Sequence, residues 1–126
     1  MRIGIPLETK SGESRVAATP ETVKKLITAG HSLIIQSHAG VKASIIDEAF
    51  TAAGATIGSA TEVFNCDIVL KVRAPSDDEL HQMRPGTVLI GMLDPFDSAT
   101  INAMAGKQIT AFALEAAPRT TRAQSM

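Results

Sequence analysis

Apolar positions along the chain fall into short runs separated by polar turns rich in glycine and proline. The first run, RIGIP at residues 2–6, ends on a proline and predicts a strand, followed by the polar loop ETKSGESR at 8–15. Thr19, Pro20 and Glu21 then supply an N-cap, a proline at the first helical position and an acid in the first turn, which together predict a helix start. Val23, Leu26 and Ile27 form the apolar face of that helix and Gly30 ends it, ahead of the buried-strand pattern SLIIQ at 32–36. The same order returns further on. Ile46, Ala49, Phe50 and Ala53 keep helical spacing before Gly54 and a short strand at 55–58, and Ala105-Gly106 precedes QITAFAL at 108–114. Repeated helix, glycine, strand junctions predict βαβ units, with parallel strands joined by right-handed crossovers.

Two runs are more apolar than the rest: DIVLKV at 67–72 and TVLIGML at 87–93. Their unbroken aliphatic character predicts central strands covered on both faces. Between them Asp77, Asp78 and Glu79 follow Pro75 and open a short helix, where acids complement the positive N-terminal end of the helix dipole. Pro85-Gly86 turns the chain into the next strand, and Ser98 caps a last helix holding Ile101 and Met104. The expected fold is α/β: one domain over 1–126 with a doubly wound, mainly parallel sheet of about six strands and four or five helices, flavodoxin- or Rossmann-like.

Composition narrows the picture. The 126 residues are enough for one core, and with 44% apolar residues, no Trp or Tyr and four Phe, that core must be aliphatic. Twelve basic against thirteen acidic residues, with no basic cluster beyond two neighbours, argue against nucleic acid as a partner. The single cysteine, Cys66, has no partner for an internal disulfide and reads as a small buried hydrophobe in a reducing compartment. No apolar run approaches the roughly 18 residues that cross a bilayer, and the first residues do not form a signal peptide, so a cytoplasmic location is expected.

Ligands of open parallel sheets bind beyond the C-terminal strand ends. That rule selects Arg15 after the first strand, Lys71 near the end of IVLKV, Asp94 after the next strand and Glu115 after the last. Lys71 either snorkels to solvent, its stem covering apolar surface, or faces a ligand, in which case Arg15 adds a second cation for a carboxylate. Asp94 precedes Pro95 and reads as a turn residue, an acid partner for Lys71 or a general base. His31, His38 and His81 share no metal-like spacing, so no metal site is expected, and no catalytic residue is identified. The chain has no G-x-G-x-x-G and no P-loop; GATIG at 54–58 does not qualify as a dinucleotide fingerprint.

Six stretches carry a resemblance in order and spacing: RIGIP, ESRVAATP at 13–20, AAGATI from Ala52, DIVLKVRAP from Asp67, RPGTVLIG from Arg84 and PRTTRAQSM at 118–126. They resemble the family that unites alanine dehydrogenases with the NAD(H)-binding alpha subunit of proton-translocating NAD(P) transhydrogenases. Asp94 stands where the dehydrogenase branch carries a histidine, and PRTTRAQSM is similar to a transhydrogenase loop near the nicotinamide end of the cofactor. The resemblance therefore implies cofactor-binding roles for Arg119 and Gln124. Arg15 and Lys71 match pyruvate-binding positions of the dehydrogenase branch, and with Asp94 they are read as a vestigial substrate site or as structural ion partners. The implied activity is direct hydride transfer between NADH and NADP+, coupled to proton translocation. NADP(H) would sit in a partner component, a membrane component would carry the protons, and the full protein would be a homodimer on the cytoplasmic face of the inner membrane. The second, Rossmann NAD-binding domain of that family is absent from these residues, so the chain reads as an incomplete first domain, inactive alone. The alternatives are an alanine-dehydrogenase-like oxidoreductase and a non-catalytic α/β interaction module.

Overall fold

Thr19 is extended at φ −108°, and its hydroxyl accepts a hydrogen bond from the Thr22 amide, with Pro20 at the first helical position. This N-cap starts α1 (Pro20–Thr28) where the sequence places it, and Gly30, at φ +99°, reverses the chain into the following strand. The computed structural model describes residues 1–9, 12–92, 102 and 104–113. Within them the strands are β1 (Arg2–Ile5), β2 (Ser32–Gln36), β3 (Thr56–Gly58), β4 (Ile68–Arg73), β5 (Val88–Met92) and β6 (Thr110–Ala113). All pair in parallel, in the order β3-β2-β1-β4-β5-β6. This is the doubly wound α/β arrangement that the repeated junctions predict.

α2 (Asp47–Ala52) and α4 (Asp77–Gln82) also stand where the pattern puts them. Of the last expected helix, Ser98 and Ile101 lie outside the described residues, while Asn102 and residues 104–106 are helical. One helix escaped the apolar pattern. α3 (Ala60–Phe64) is too short to show a period, yet Ser59 and Glu62 form a capping box whose S-x-x-E spacing is visible in the sequence.

Alternation along the strands sorts the core into two layers. Ile3, Ile5, Leu33 and Ile35 pack with Val23, Phe50 and Ala53 under α1 and α2. On the other face Ile34 packs with Val63 and Cys66, and Val69 and Leu89 pack with Phe64, Leu80 and Met83 under α3 and α4. Cys66 is fully buried, and burial pushes its thiol pKa up.

The prediction that β4 and β5 are covered on both faces needs correction. Only one side is fully covered among the described residues, because α1 packs on β2 and α2 on β3, at the other half of the sheet. Ile68, Leu70, Val88 and Ile90 are therefore only half-buried, and Phe112 on β6 is 56% exposed.

α3 lies directly on β1. A Cβ on Gly4 would collide with the Val63 carbonyl of that helix, so the strand needs a residue without a side chain here. Gly4→Ala is expected to destabilise the fold by about 1–3 kcal/mol. Gly106→Ala is the control: a Cβ there meets no atom within 4 Å, and its helical backbone accepts alanine. Urea unfolding of the two variants checks this, and equal midpoints would rule out the close approach of helix and strand.

Candidate functional site

β1 and β4 are neighbours in the sheet, but the chain leaves them in opposite directions, β1 toward β2 and β4 toward β5. Loops that diverge in this way open a crevice at the C-terminal strand ends. Pairing of β1 with β4 stops at Gly4 opposite Val69, which leaves the later amides of β4 without a strand on that side. Glu8, just past β1, fills the gap. One carboxylate oxygen accepts from the Val72 amide at 2.9 Å and the other from the Arg73 amide at 3.1 Å. Two consecutive amides turned to one side break the ladder, and the pairing of β4 with β5 shifts register between Leu70 and Arg73.

Lys71 does not snorkel. Its side chain is 1% exposed, with Nζ 3.1 Å from Glu8 Oε1 and 3.3 Å from Glu79 Oε2. Glu79 reaches this position because it is the third residue of α4. Its other oxygen accepts from the Ser76 amide at 2.8 Å, and the Ser76 hydroxyl accepts from the Glu79 amide in return. The capping box thus serves the helix end with one oxygen and the buried ammonium with the other.

A second layer lies nearer the solvent. Glu13 Oε2 accepts from the Arg15 amide and from Arg15 Nε, both at 2.9 Å. Its Oε1 accepts from Arg15 Nη2 at 3.0 Å and from Arg73 Nε at 2.8 Å. Hydrogen bonds from Arg15, then from Arg73, hold the Glu13 carboxyl far below the usual carboxylate range, against a smaller opposing effect of burial. The pairing with Glu13 raises the pKa of Arg15 in turn.

Arg15 and Lys71 therefore share one crevice but not one layer: Lys71 is interior, while Arg15 is 60% exposed. Asp94, Glu115, Arg119 and Gln124 lie outside the described residues. Sequence reasoning passed over Glu8, Glu13, Arg73 and Glu79. Glu79 had a signal, the S-x-x-E spacing from Ser76. Glu8 had none, since 63 positions separate it from Lys71. Among the histidines, His31 Nδ1 lies 3.4 Å from the N-terminal ammonium and His38 Nδ1 lies 3.0 Å from Ser37 Oγ.

The end of β1 does not form a phosphate cradle. Residues 6–19 separate β1 from α1 without a glycine-rich turn, and a carboxylate occupies the space beside β4. A cleft of about 280 Å³ opens next to it, lined by Leu7, Gln36, Phe64, Ser76, Asp78 and Glu79 among others. At the opposite end of the sheet Asp67 accepts from the Arg2 amide at 3.0 Å and from Arg84 Nη2 at 2.6 Å, contacts that lower its pKa, the Arg2 amide contributing most. No helix among the described residues is long and apolar enough to cross a membrane.

The two layers respond differently to mutation. Lys71→Met strands two buried carboxylates and is expected to cost about 3–5 kcal/mol in urea unfolding, whereas Arg15→Ala has a far smaller effect; similar losses would show that burial of charge is not the controlling factor. Glu13 titrates below its ordinary value of 4.5, so its stabilising effect is complete above that pH and fades as pH falls through the lowered pKa. The melting-temperature deficit of Glu13→Gln is thus full at neutral pH and shrinks only under acid conditions. A deficit that does not vary with pH would contradict the lowered pKa.

Comparison with known proteins gives the site its setting. Residues 4–126 match the family described as alanine dehydrogenase/PNT, N-terminal domain. The chain is 44% identical over its whole length to an NAD(P) transhydrogenase subunit alpha polypeptide of Rhodospirillum rubrum, covering 35% of that protein. An alanine dehydrogenase of Mycobacterium tuberculosis is also 44% identical, over 74% of this chain and 26% of its own. The crystal structure of transhydrogenase from Sinorhizobium meliloti superposes with a TM-score of 0.95 at 41% identity, over all of this chain and 38% of that one. The chain thus spans about a quarter to two fifths of the length of these relatives. A match that takes in both β1 and β4, the strands whose ends carry the ion network, makes the assignment secure: the chain belongs to the alanine dehydrogenase/PNT N-terminal domain family.

Proposed function

We propose that this chain is the N-terminal portion of an NAD(P) transhydrogenase alpha subunit, which in the full protein takes part in hydride transfer between NADH and NADP+ coupled to proton translocation. The observation that carries this reading is coverage. At equal identity, the match to the transhydrogenase subunit runs through the whole chain, including 118–126, while the match to the alanine dehydrogenase covers 74%. In this reading NAD(H) belongs to the same subunit and NADP(H) to a partner component. A membrane component completes the assembly, the full protein is a homodimer, and the chain lies peripherally on the cytoplasmic face of the membrane.

The described residues contribute a wall rather than a cradle, since the crevice is filled by Glu8 and Lys71 and lacks a glycine-rich turn. Hydride passage between two nicotinamides requires alignment and exclusion of water, not a proton acceptor. Arg119 and Gln124 are assigned to that alignment, at the nicotinamide end. The alanine-dehydrogenase-like alternative draws its support from Arg15 and Lys71, which meet in one crevice, and Asp94 in place of a histidine weighs against it.

Steady-state assays on the full-length protein with its partner components separate the two readings. Hydride transfer from NADH to NADP+ is expected, without reduction of NAD+ by L-alanine; the reverse result would overturn the proposal. Arg119→Ala and Gln124→Ala are expected to slow transfer by at least about tenfold while leaving affinity for NADH nearly unchanged. Equal losses in both measurements would remove these residues from the nicotinamide end. The 126-residue chain alone is expected to show no transhydrogenation and no tight NADH binding in calorimetry.

A further inference from the structure

The charges of the crevice do not cancel layer by layer. In the interior one ammonium, Lys71, faces two carboxylates, Glu8 and Glu79. At the rim two guanidiniums, Arg15 and Arg73, share one carboxylate, Glu13. The surplus positive charge of the crevice therefore sits at the rim, on side chains that are 60% and 47% exposed, while the carboxylate that holds them is 4% exposed.

The donors left over are arranged in a particular way. A guanidinium is planar, with one hydrogen-bonding edge formed by Nε and one Nη and a second, at its end, formed by both Nη atoms. Arg15 commits its Nε edge to Glu13, and Arg73 commits Nε to the same Oε1 that Arg15 Nη2 approaches. Neither terminal edge is taken by another side chain among the described residues. Both cations are also fixed in place, because the Arg73 amide is tied to Glu8 and the Arg15 amide to Glu13.

We propose that Arg73, together with Arg15, forms an oxyanion-binding subsite at the mouth of the β1/β4 crevice, pre-assembled on Glu13. It takes a phosphate or carboxylate group with at least two oxygens to spread across the two terminal edges. Lys71 underlies the subsite as its support, since its ammonium is already held by two carboxylates. The subsite rests on the ion pairs alone and stands independently of the hydride-transfer reading.

Titration of the protein with inorganic pyrophosphate and, separately, with oxalate at constant ionic strength tests this, followed through the arginine Nε–Hε resonances. Saturable shifts at Arg15 and Arg73 are expected with at least one of the two anions, and the tighter one identifies phosphate or carboxylate as the natural group. Arg73→Gln is expected to weaken that binding about tenfold, with Arg73→Lys intermediate because it keeps the charge and loses the planar edge. Lys24→Gln, an exposed change on α1, leaves it unaltered. A response that never saturates, or an affinity that survives both Arg73 substitutions unchanged, would overturn the subsite.

Discussion

The carboxylate of Glu8 stands in for a strand. Where β1 turns away from β4, the amides of Val72 and Arg73 would face the interior without acceptors, and an unpaired buried amide costs about 1–3 kcal/mol. Glu8 supplies both acceptors from a loop residue and, in the same step, brings a negative charge into a place almost closed to water. Lys71 is then required as its counter-ion, and Glu79 follows, because it adds a second acceptor for the ammonium while capping α4. The loop after β1, the end of β4 and the start of α4 are locked together by one carboxylate and the consequences of burying it.

Such a cluster need not be optimal for stability. Aliphatic side chains of the same volume often match or exceed a buried ion pair. What the charges provide is a defined geometry at the one point of the sheet where the winding reverses, the point at which ligands of such folds bind. The loop through residues 6–19 depends on it, and so does the position of Glu13, which in turn orients the two arginines at the rim. Removing the interior charge is thus felt at the surface through a short chain of hydrogen bonds rather than through the bulk of the core.

The sequence was informative wherever the physics is local. The Thr19-Pro20 cap, the glycine exits at Gly30 and Gly54 and the unbroken aliphatic runs of β4 and β5 depend on neighbours within a turn, and they predicted the fold class and nearly every strand. α3 was missed because five residues cannot display a helical period, though its capping box was written in the chain. The two-sided burial expected of β4 and β5 failed for a different reason: aliphatic character reports what a face prefers, and which helix reaches that face is decided by chain direction. The ion network was the least legible element of the structure. Lys71 stood out as a charge in an apolar strand, but its partner lies 63 positions away in a loop that carries several acids, and nothing local distinguishes Glu8 from Glu13.

The strand order is the one that serves dinucleotide-binding domains, where glycines after β1 let a helix N-terminus approach a pyrophosphate. In this chain the glycine requirement has moved. Gly4, inside β1, admits the Val63 carbonyl of α3, and the turn after β1 is a long polar loop that delivers carboxylates instead of backbone amides. The same sheet therefore presents an interior rich in negative charge and a rim rich in guanidinium, the inverse of a phosphate-gripping helix end. Architecture fixes where a ligand can approach, and the residues placed at the reversal fix what it can be. A group that binds here must be recognised by side-chain cations at the surface and has no glycine cradle to enter, which suits a domain that meets its ligand from one side.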